Sequence, residues 1–251
     1  MFRNLHLICV VAALSFPVLF FTACTSSYAG SIRHGTVVIV SMDPDSIILA
    51  ADSRETDIDF THKKVTFGDT AHKIFRIRNT FIAIAGLSEL SNMSTQAFIS
   101  RVYDTSKSIK ENMPVIEASL KNAIQKELDS YSIKQKRLFA GHNYSIELFI
   151  AGYEKDIPQV CRINTGVKFV KLAANPVETF AATGTGLMFD VAGISDHINL
   201  VQHNMKGNKL HTMSELISLE ARHHKDVDSL VQYAIIKKDG YRVGKRIGGG
   251  N

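Results

Sequence analysis

Gly35 and Thr36 stand at the start of a short apolar run, Val37 to Val40, and a second apolar run ends on the carboxylate of Asp52. If the Gly35–Thr36 bond were cut, Thr36 would become an N-terminal residue. Its hydroxyl would then be a nucleophile, with its own α-amino group as the base. An α-amino group has a pKa of about 7.7–8.0, so it needs little tuning for this task. Glycine suits the cut because, without a side chain, it lets the peptide bend toward the hydroxyl.

The apolar runs around this junction predict paired strands. Runs at 36–41 and 46–51 flank the turn signal Asp43-Pro44-Asp45, and a second hairpin is predicted over 73–85 around Arg78-Asn79. Helices are expected over 87–110, from Pro114 to 128, from Gly186, and from a capping box at 212–215. Further strands are expected at 145–151, 159–163, 168–172, 179–182, 231–237 and 240–243. This order predicts an α+β fold with antiparallel sheets.

Eight short segments, in order between residues 35 and 241, resemble the proteasome β-type subunits, which are N-terminal-nucleophile (Ntn) hydrolases. The segments are Gly35-Thr36, Leu49-Ala50-Ala51-Asp52-Ser53-Arg54, Lys73-Ile74-Phe75, Ile84-Ala85-Gly86-Leu87, Met113-Pro114, Ala182-Thr183-Gly184-Thr185-Gly186, Asp226-Val227-Asp228-Ser229 and Lys238-Asp239-Gly240-Tyr241. The resemblance implies the family's four-layer αββα sandwich, two antiparallel β-sheets flanked by helices. It also implies a threonine-type peptidase that processes itself at Gly35–Thr36.

The same resemblance implies a role for each site residue. Thr36 is the nucleophile, Lys73 lowers the pKa of the threonine amine and hydroxyl, and Asp52 keeps Lys73 charged and oriented. The backbone N–H of Gly86 faces the developing oxyanion. Three further residues hydrogen-bond around the amine and fix its direction: Thr185, Asp226 and Ser229.

Two other lysines could fill the role that the resemblance gives to Lys73. Lys63 and Lys64 compete with Lys73, because the segment from Asp52 to Lys73 is several residues longer than in typical family members. Lys73 is preferred since a strand continues directly after it.

The resemblance places Ile84 in the specificity pocket, where it favours a medium-sized apolar side chain, with Glu55 at the pocket mouth.

The first 29 residues predict an export signal. Arg3 precedes the apolar run 7–21, and Ser27-Tyr28-Ala29 fits a signal-peptidase site. Cleavage there leaves 30–35 as a short propeptide and 36–251 as the hydrolase domain of a periplasmic or extracellular protein. One alternative is a lipoprotein site ending at Cys24, which would leave a lipid anchor on that cysteine. The other is an uncleaved membrane anchor.

Composition supports a globular protein that needs no crosslinks. The chain has 251 residues, 45% of them hydrophobic, and its net charge of +5 is spread too evenly to indicate a nucleic-acid partner. Loss of the signal at Ala29 would leave Cys161, expected to be a packed thiol, as the one remaining cysteine. No metal or cofactor is expected. His223-His224, close to Asp226, is interpreted as a helix end, where positive charge suits the helix dipole.

The sequence therefore predicts an exported threonine peptidase that acts on peptides or unfolded chains. Two alternatives stay open. The same machinery could cut non-peptide amides, as in acylases, or the chain could be a catalytically silent subunit used for binding or assembly. Proteasome relatives form rings, so a homo-oligomer is also open.

Overall fold

The computed structural model describes residues 31–35, 37–59, 64–68, 71–90, 92–132, 145–166, 169–170, 173–174, 178–184, 188–198 and 207–248. The predicted export signal with Cys24, Lys63, and two of the predicted site residues, Thr36 and Thr185, lie outside the described residues. Among those described, no helix has both the length and the apolar character needed to cross a membrane.

Strands dominate the described residues. They are β1 (Ser31–Gly35), β2 (Val37–Met42), β3 (Ile47–Asp52), β4 (Glu55–Asp59), β5 (Lys64–Gly68), β6 (Ile74–Ile77), β7 (Thr80–Leu87), β8 (Glu89–Leu90), β9 (Met93–Ser94), β10 (Ser145–Glu154), β11 (Ile157–Gly166), β12 (Phe169–Val170), β13 (Ala173–Ala174), β14 (Glu178–Gly184), β15 (Met188–Gly193), β16 (Leu230–Lys237) and β17 (Gly240–Ile247). The helices described are α1 (Thr95–Val102), α2 (Ile109–Ser130) and α3 (Lys209–His223).

Two sheets hold most of these strands, and the described strands within each sheet pair in antiparallel fashion. The larger, eight-stranded sheet runs β14-β11-β10-β7-β1-β4-β5, with β6 also paired to β7. The smaller sheet runs β15-β2-β3-β16-β17. Two short ribbons, β8-β9 and β12-β13, stand apart. The expected α+β class with antiparallel sheets is confirmed, and so are the hairpins predicted at 36–51, 73–85 and 231–243.

Three groups of buried side chains explain the long apolar runs of the strands. Alternate residues of β2 face opposite ways: Val38 packs against the larger sheet, whereas Ile39 packs with Met213 of α3. In the same way, β7 turns Ile82 toward the helices α1 and α2 and Ala83 toward the smaller sheet. A strand buried on both faces reads as a continuous apolar run rather than an alternating one.

Three predicted helix positions are wrong. Residues 87–110 form β7's end, the β8-β9 ribbon and α1, which starts after its N-cap Ser94. The helix α2 starts before Pro114, since Ser108 and Glu111 form a capping box there, and Pro114 lies inside it. Residues 188–193 are strand β15, which pairs with β2 over six positions. In so short an apolar stretch, periodicity cannot distinguish a strand from a helix, and pairing with a neighbouring strand decides which one forms.

The start of α3 also differs from its prediction. The expected capping box at 212–215 lies within the helix, because Asn208 is the N-cap and its side chain accepts the backbone N–H of His211. Asparagine is a strong N-cap residue for this reason. The helix that packs on the smaller sheet is therefore about one turn longer at its start than the sequence predicts.

Candidate functional site

The chain passes from one sheet to the other within residues 35–37. Strand β1 ends at Gly35 in the larger sheet, and β2 begins at Val37 in the smaller one. Gly35 is in register with Glu55 of β4 on one side and with Gly86 of β7 on the other. Both sequence neighbours of Thr36 are therefore held by sheet pairing.

Asp52 and Lys73 form a buried ion pair beside this junction. The Nζ of Lys73 lies 2.6 Å from Oδ1 of Asp52, and the two side chains are 5% and 0% exposed. The same Oδ1 accepts the backbone N–H of Val37 at 2.9 Å. One carboxylate oxygen thus joins the residue that follows Thr36 to the lysine that the sequence analysis preferred.

The second oxygen of Asp52 is also occupied. Its Oδ2 accepts the backbone N–H of Arg54 at 3.0 Å and that of Asp228 at 3.3 Å. A buried carboxylate is tolerable when several donors compensate for its lost hydration. Burial lowers the pKa of the Lys73 ammonium, and the Asp52 carboxylate opposes this by favouring the charged form.

Gln232 positions the backbone around Lys73 and was missed by the sequence analysis. Its Oε1 accepts the backbone N–H of Lys73 at 3.2 Å, and its Nε2 donates to the carbonyl of Ala71. The carbonyl of Lys73 accepts the N–H of Ile84 at 2.9 Å. The signal that the sequence offered was a polar residue, Gln232, within an otherwise apolar run. The structure shows that this side chain is buried in β16.

The loop between α3 and β16 packs against the turn that follows β3. Asp226 accepts the hydroxyl of Thr56 at 3.1 Å, and Asp228 accepts that of Ser53 at 2.8 Å. The guanidinium of Arg54 donates to the carbonyl of Lys225 at 2.8 Å. These side chains bring the loop of Asp226 to Asp52. Of them, Asp226 was predicted from the sequence, whereas Ser53, Arg54, Thr56 and Asp228 were given no role there.

Ser229 contributes a backbone group to the same loop. Its carbonyl accepts the N–H of Gly248 at 2.8 Å, so the chain end that follows β17 is tied to the start of β16. Asp226 and Ser229 therefore lie in one loop, and Asp228 links that loop directly to Asp52.

Gly86 has a backbone that only glycine adopts readily. Its φ is +92°, and a Cβ at this position would lie 1.9 Å from the carbonyl oxygen of Ser145. Gly86 also pairs in register with Ile146 of β10, so it lies between β1 and β10 within the larger sheet. The strand continues to Leu87, so the expected strand-to-helix turn at Gly86 is wrong.

The two residues predicted for the specificity pocket occupy different surroundings. Ile84 is 6% exposed and packs in the core between the larger sheet and the helices α1 and α2. Glu55 is half-buried, lies in register with Gly35, and accepts the hydroxyl of Ser88. Of the competing lysines, Lys64 is exposed on β5, whereas Lys73 contacts Asp52.

No model of a protein family matches the chain, and no curated protein matches it with significant similarity.

Proposed function

We propose that this chain is an exported threonine peptidase of the proteasome β-subunit type, which matures by cutting its own Gly35–Thr36 bond. The observation that carries the proposal is the sharing of Asp52 Oδ1 between Lys73 Nζ and the N–H of Val37. An N-terminal threonine needs a cation near its amine and hydroxyl, and here a buried cation is tied to the next residue.

The core arrangement supports the four-layer αββα sandwich of the Ntn hydrolases. One group of buried side chains joins α1 and α2 to the larger sheet, a second joins the two sheets, and a third joins the smaller sheet to α3. This order is helices, sheet, sheet, helix. We propose it as the family's architecture, with Thr36 at the crossing between the two central sheets.

Maturation is an intramolecular transfer followed by hydrolysis. The Thr36 hydroxyl adds to the Gly35 carbonyl carbon, the C–N bond breaks, and the hydroxyl proton passes to the departing nitrogen. Water then hydrolyses the Gly35 ester, which frees the carboxylate of Gly35 and the amine and hydroxyl of Thr36. The positive charge of Lys73 stabilises the alkoxide character that develops on Thr36.

Substrate cleavage repeats this chemistry on a second chain. The free Thr36 amine accepts the hydroxyl proton as the oxygen attacks a peptide carbonyl, and it then protonates the leaving amine. Water, deprotonated by the same amine, hydrolyses the ester and restores Thr36. The Gly86 N–H is assigned to the oxyanion because Gly86 pairs in register with Gly35.

The pairing of β1 favours a peptide as the substrate. It pairs with β4 over five positions and with β7 over two. Once Gly35 is cut from Thr36, this segment is no longer covalently held, and its departure leaves a slot between two strand edges. An extended peptide can pair there through its backbone. A small non-peptide amide offers no such ladder of donors and acceptors.

The test is cleavage by the purified wild-type protein of a peptide library and of a panel of non-peptide amides, with Thr36→Ala as the paired sample. We expect peptide cleavage in the wild type and none in Thr36→Ala. Cleavage of amides alone would support the acylase alternative. Cleavage of neither class by a correctly processed chain would favour the silent subunit.

A further inference from the structure

A cluster of metal-ligating side chains lies outside the proposed catalytic site. One ligand atom each from His197, Glu220 and His224 lies within 4.8 Å of the others. Glu220 is in the last turn of α3, and His224 follows four residues later, so the two share one side of the helix end. His197 comes from the turn after β15, which brings a distant part of the chain to this helix.

Glu220 is fixed so that one oxygen faces both histidines. The residue is fully buried, and its Oε1 accepts the backbone N–H groups of His197 at 2.6 Å and Ile198 at 3.0 Å. Its Oε2 lies 3.0 Å from Nδ1 of His197 and 3.5 Å from Nε2 of His224. The two backbone bonds hold Oε1, while Oε2, which shares a hydrogen bond with Nδ1 of His197, is the oxygen that faces both histidines.

Two of the separations, 3.0 and 3.5 Å from Oε2 of Glu220, are close to the edges of a tetrahedral zinc site. Zinc–nitrogen and zinc–oxygen bonds of about 2.0–2.2 Å place neighbouring ligand atoms about 3.4 Å apart. Oδ2 of the exposed Asp196 lies 3.3 Å from Nε2 of His224, which makes this oxygen a candidate for a fourth ligand. His197 and His224 are 34% and 27% exposed, which gives an ion a route to the otherwise buried carboxylate.

The Nε2 atom of His224 supports a cation at this cluster. In the described part of the chain, its Nε2 is screened from solvent and makes no hydrogen bond, although two carboxylate oxygens lie within 3.5 Å. A buried polar atom without a partner requires an explanation, and an ion between these groups supplies one. The ring of His223 stacks on that of His197 at 4.1 Å and orients it.

We propose that His197, Glu220 and His224, with Asp196 as the fourth ligand, bind one Zn²⁺ ion in a closed structural site. Two imidazoles and two carboxylates suit zinc among the common divalent ions. The proposal differs from the sequence expectation of a metal-free protein. The proposed ligand set includes neither His223 nor Asp226.

The ion would fix the start of the loop that reaches Asp52. The carbonyl of His224 accepts the N–H of Val227 at 3.1 Å, and the next residue, Asp228, donates its N–H to Asp52. Zinc would thus join the turn after β15 to the end of α3 and hold the loop behind Asp52. The site does not depend on the proposed peptidase activity, because its ligands lie outside the catalytic set.

The test uses the full chain, freed of metal with a chelator and titrated with Co²⁺ and then with Zn²⁺. We expect the visible d–d bands of tetrahedral Co²⁺ at one equivalent, their loss on adding Zn²⁺, and a higher Tm with Zn²⁺. His197→Ala and His224→Ala should each bind at least about tenfold more weakly. The control is His211→Ala, in the first turn of the same helix, which should bind as the wild type does.

Absence of tetrahedral Co²⁺ bands from folded wild-type protein would overturn the site. So would equal metal affinity in His197→Ala, His224→Ala and wild type. Circular dichroism verifies that the two histidine variants are folded. Asp196→Ala tests the fourth ligand separately: weaker binding supports it, and unchanged binding excludes it from the set. Absence of metal binding would overturn this site but not the proposed cleavage at Gly35–Thr36, which N-terminal sequencing tests on its own, so the two proposals fail separately.

Discussion

The ammonium of Lys73 and the carboxylate of Asp52 meet at 2.6 Å, and both side chains are buried. Removing one partner of a buried pair leaves the other charge without compensation and costs about 3–5 kcal/mol. The same carboxylate oxygen accepts the backbone N–H of Val37, so the lysine is linked through Asp52 to the residue that follows Thr36 in the chain.

Lys73→Met should therefore slow processing as well as weaken the fold. We expect the rate of cleavage at Gly35–Thr36 to fall by about 10²–10³-fold, the range for losing one group that stabilises a developing negative charge. Intact mass of the purified protein over time gives the rate. Lys64→Ala removes an exposed lysine of β5 and should process at the wild-type rate.

A double variant separates activity from stability at this pair. Lys73→Met with Asp52→Asn removes both charges, so it should recover most of the stability that Lys73→Met loses, measured by urea unfolding. Its processing should stay as slow as that of Lys73→Met. Recovery of processing in the double variant would show that the lysine acts only through the fold.

Gly86→Ala should damage both the fold and the junction. The added Cβ would lie 1.9 Å from the Ser145 carbonyl oxygen at a φ of +92°, and we expect a loss of about 2–6 kcal/mol from strain and overpacking. Urea unfolding measures the loss. Gly166→Ala is the matched control, because nothing lies within 4 Å of a Cβ there. Equal stability of the two variants would contradict the close approach of β7 and β10.

Arg162 links the two main sheets through charge. Its Nη1 lies 2.8 and 2.9 Å from the two oxygens of Asp190 in the smaller sheet, and its Nη2 lies 2.6 Å from Glu147. Arg162→Met should lower the free energy of unfolding by about 1.5–3 kcal/mol, since two acidic groups lose their charged partner. Arg162→Lys should recover only part of this lost free energy, because the lysine ammonium lacks the planar, forked arrangement of N–H donors that the guanidinium has.

The control for Arg162 is a second ion pair that is well exposed. Lys238 lies 2.8 Å from Asp156, with side chains 62% and 66% exposed. Lys238→Ala should change the free energy of unfolding by at most about 1 kcal/mol. If both substitutions had the same small effect, the link between the sheets would contribute no stability.

Asp43 makes part of the stability depend on pH. Burial alone raises the pKa of its carboxyl, but hydrogen bonds from Lys209 and from the backbone N–H groups of Asp45 and Ser46 lower it overall. A lowered pKa in the folded state contributes stability that is fully present above the ordinary value of about 3.9. That contribution is lost as the pH falls through the folded-state value.

Asp43→Ala should therefore be less stable than wild type by about 0.5–2 kcal/mol at pH 7, as for the loss of a side-chain cap. The difference should shrink as the pH falls below about 3.9. Asp43→Asn keeps the turn geometry and should lose less. Urea unfolding at pH 7 and pH 3 measures each difference. A difference that grows toward acid pH would reverse the assigned sign.

The strands were predictable because their signal is local and strong. Runs such as 37–42 and 47–52 are buried on both faces, so continuous apolar sequence marked them. The helix starts were less predictable, because side chains at Ser108 and Asn208 satisfy backbone groups and set the boundaries ahead of the expected residues.

The site depended on contacts between distant residues. The sequence alone left three lysines as candidates for the partner of Asp52: Lys63, Lys64 and Lys73. In the fold it is Lys73 that contacts Asp52. Gln232 and Asp228 reach the same place from the other end of the chain, which no spacing rule shows. His197 likewise meets Glu220 only through the packing of β15's turn against α3.

The most direct test of the proposed mechanism is the N-terminus of the purified protein, read by intact mass and N-terminal sequencing. A wild-type chain that begins at Thr36, beside a Thr36→Ala chain that retains Gly35, is the predicted result. A wild-type chain that still carries Gly35 would contradict the mechanism, because its threonine would have no free amine to act as the base.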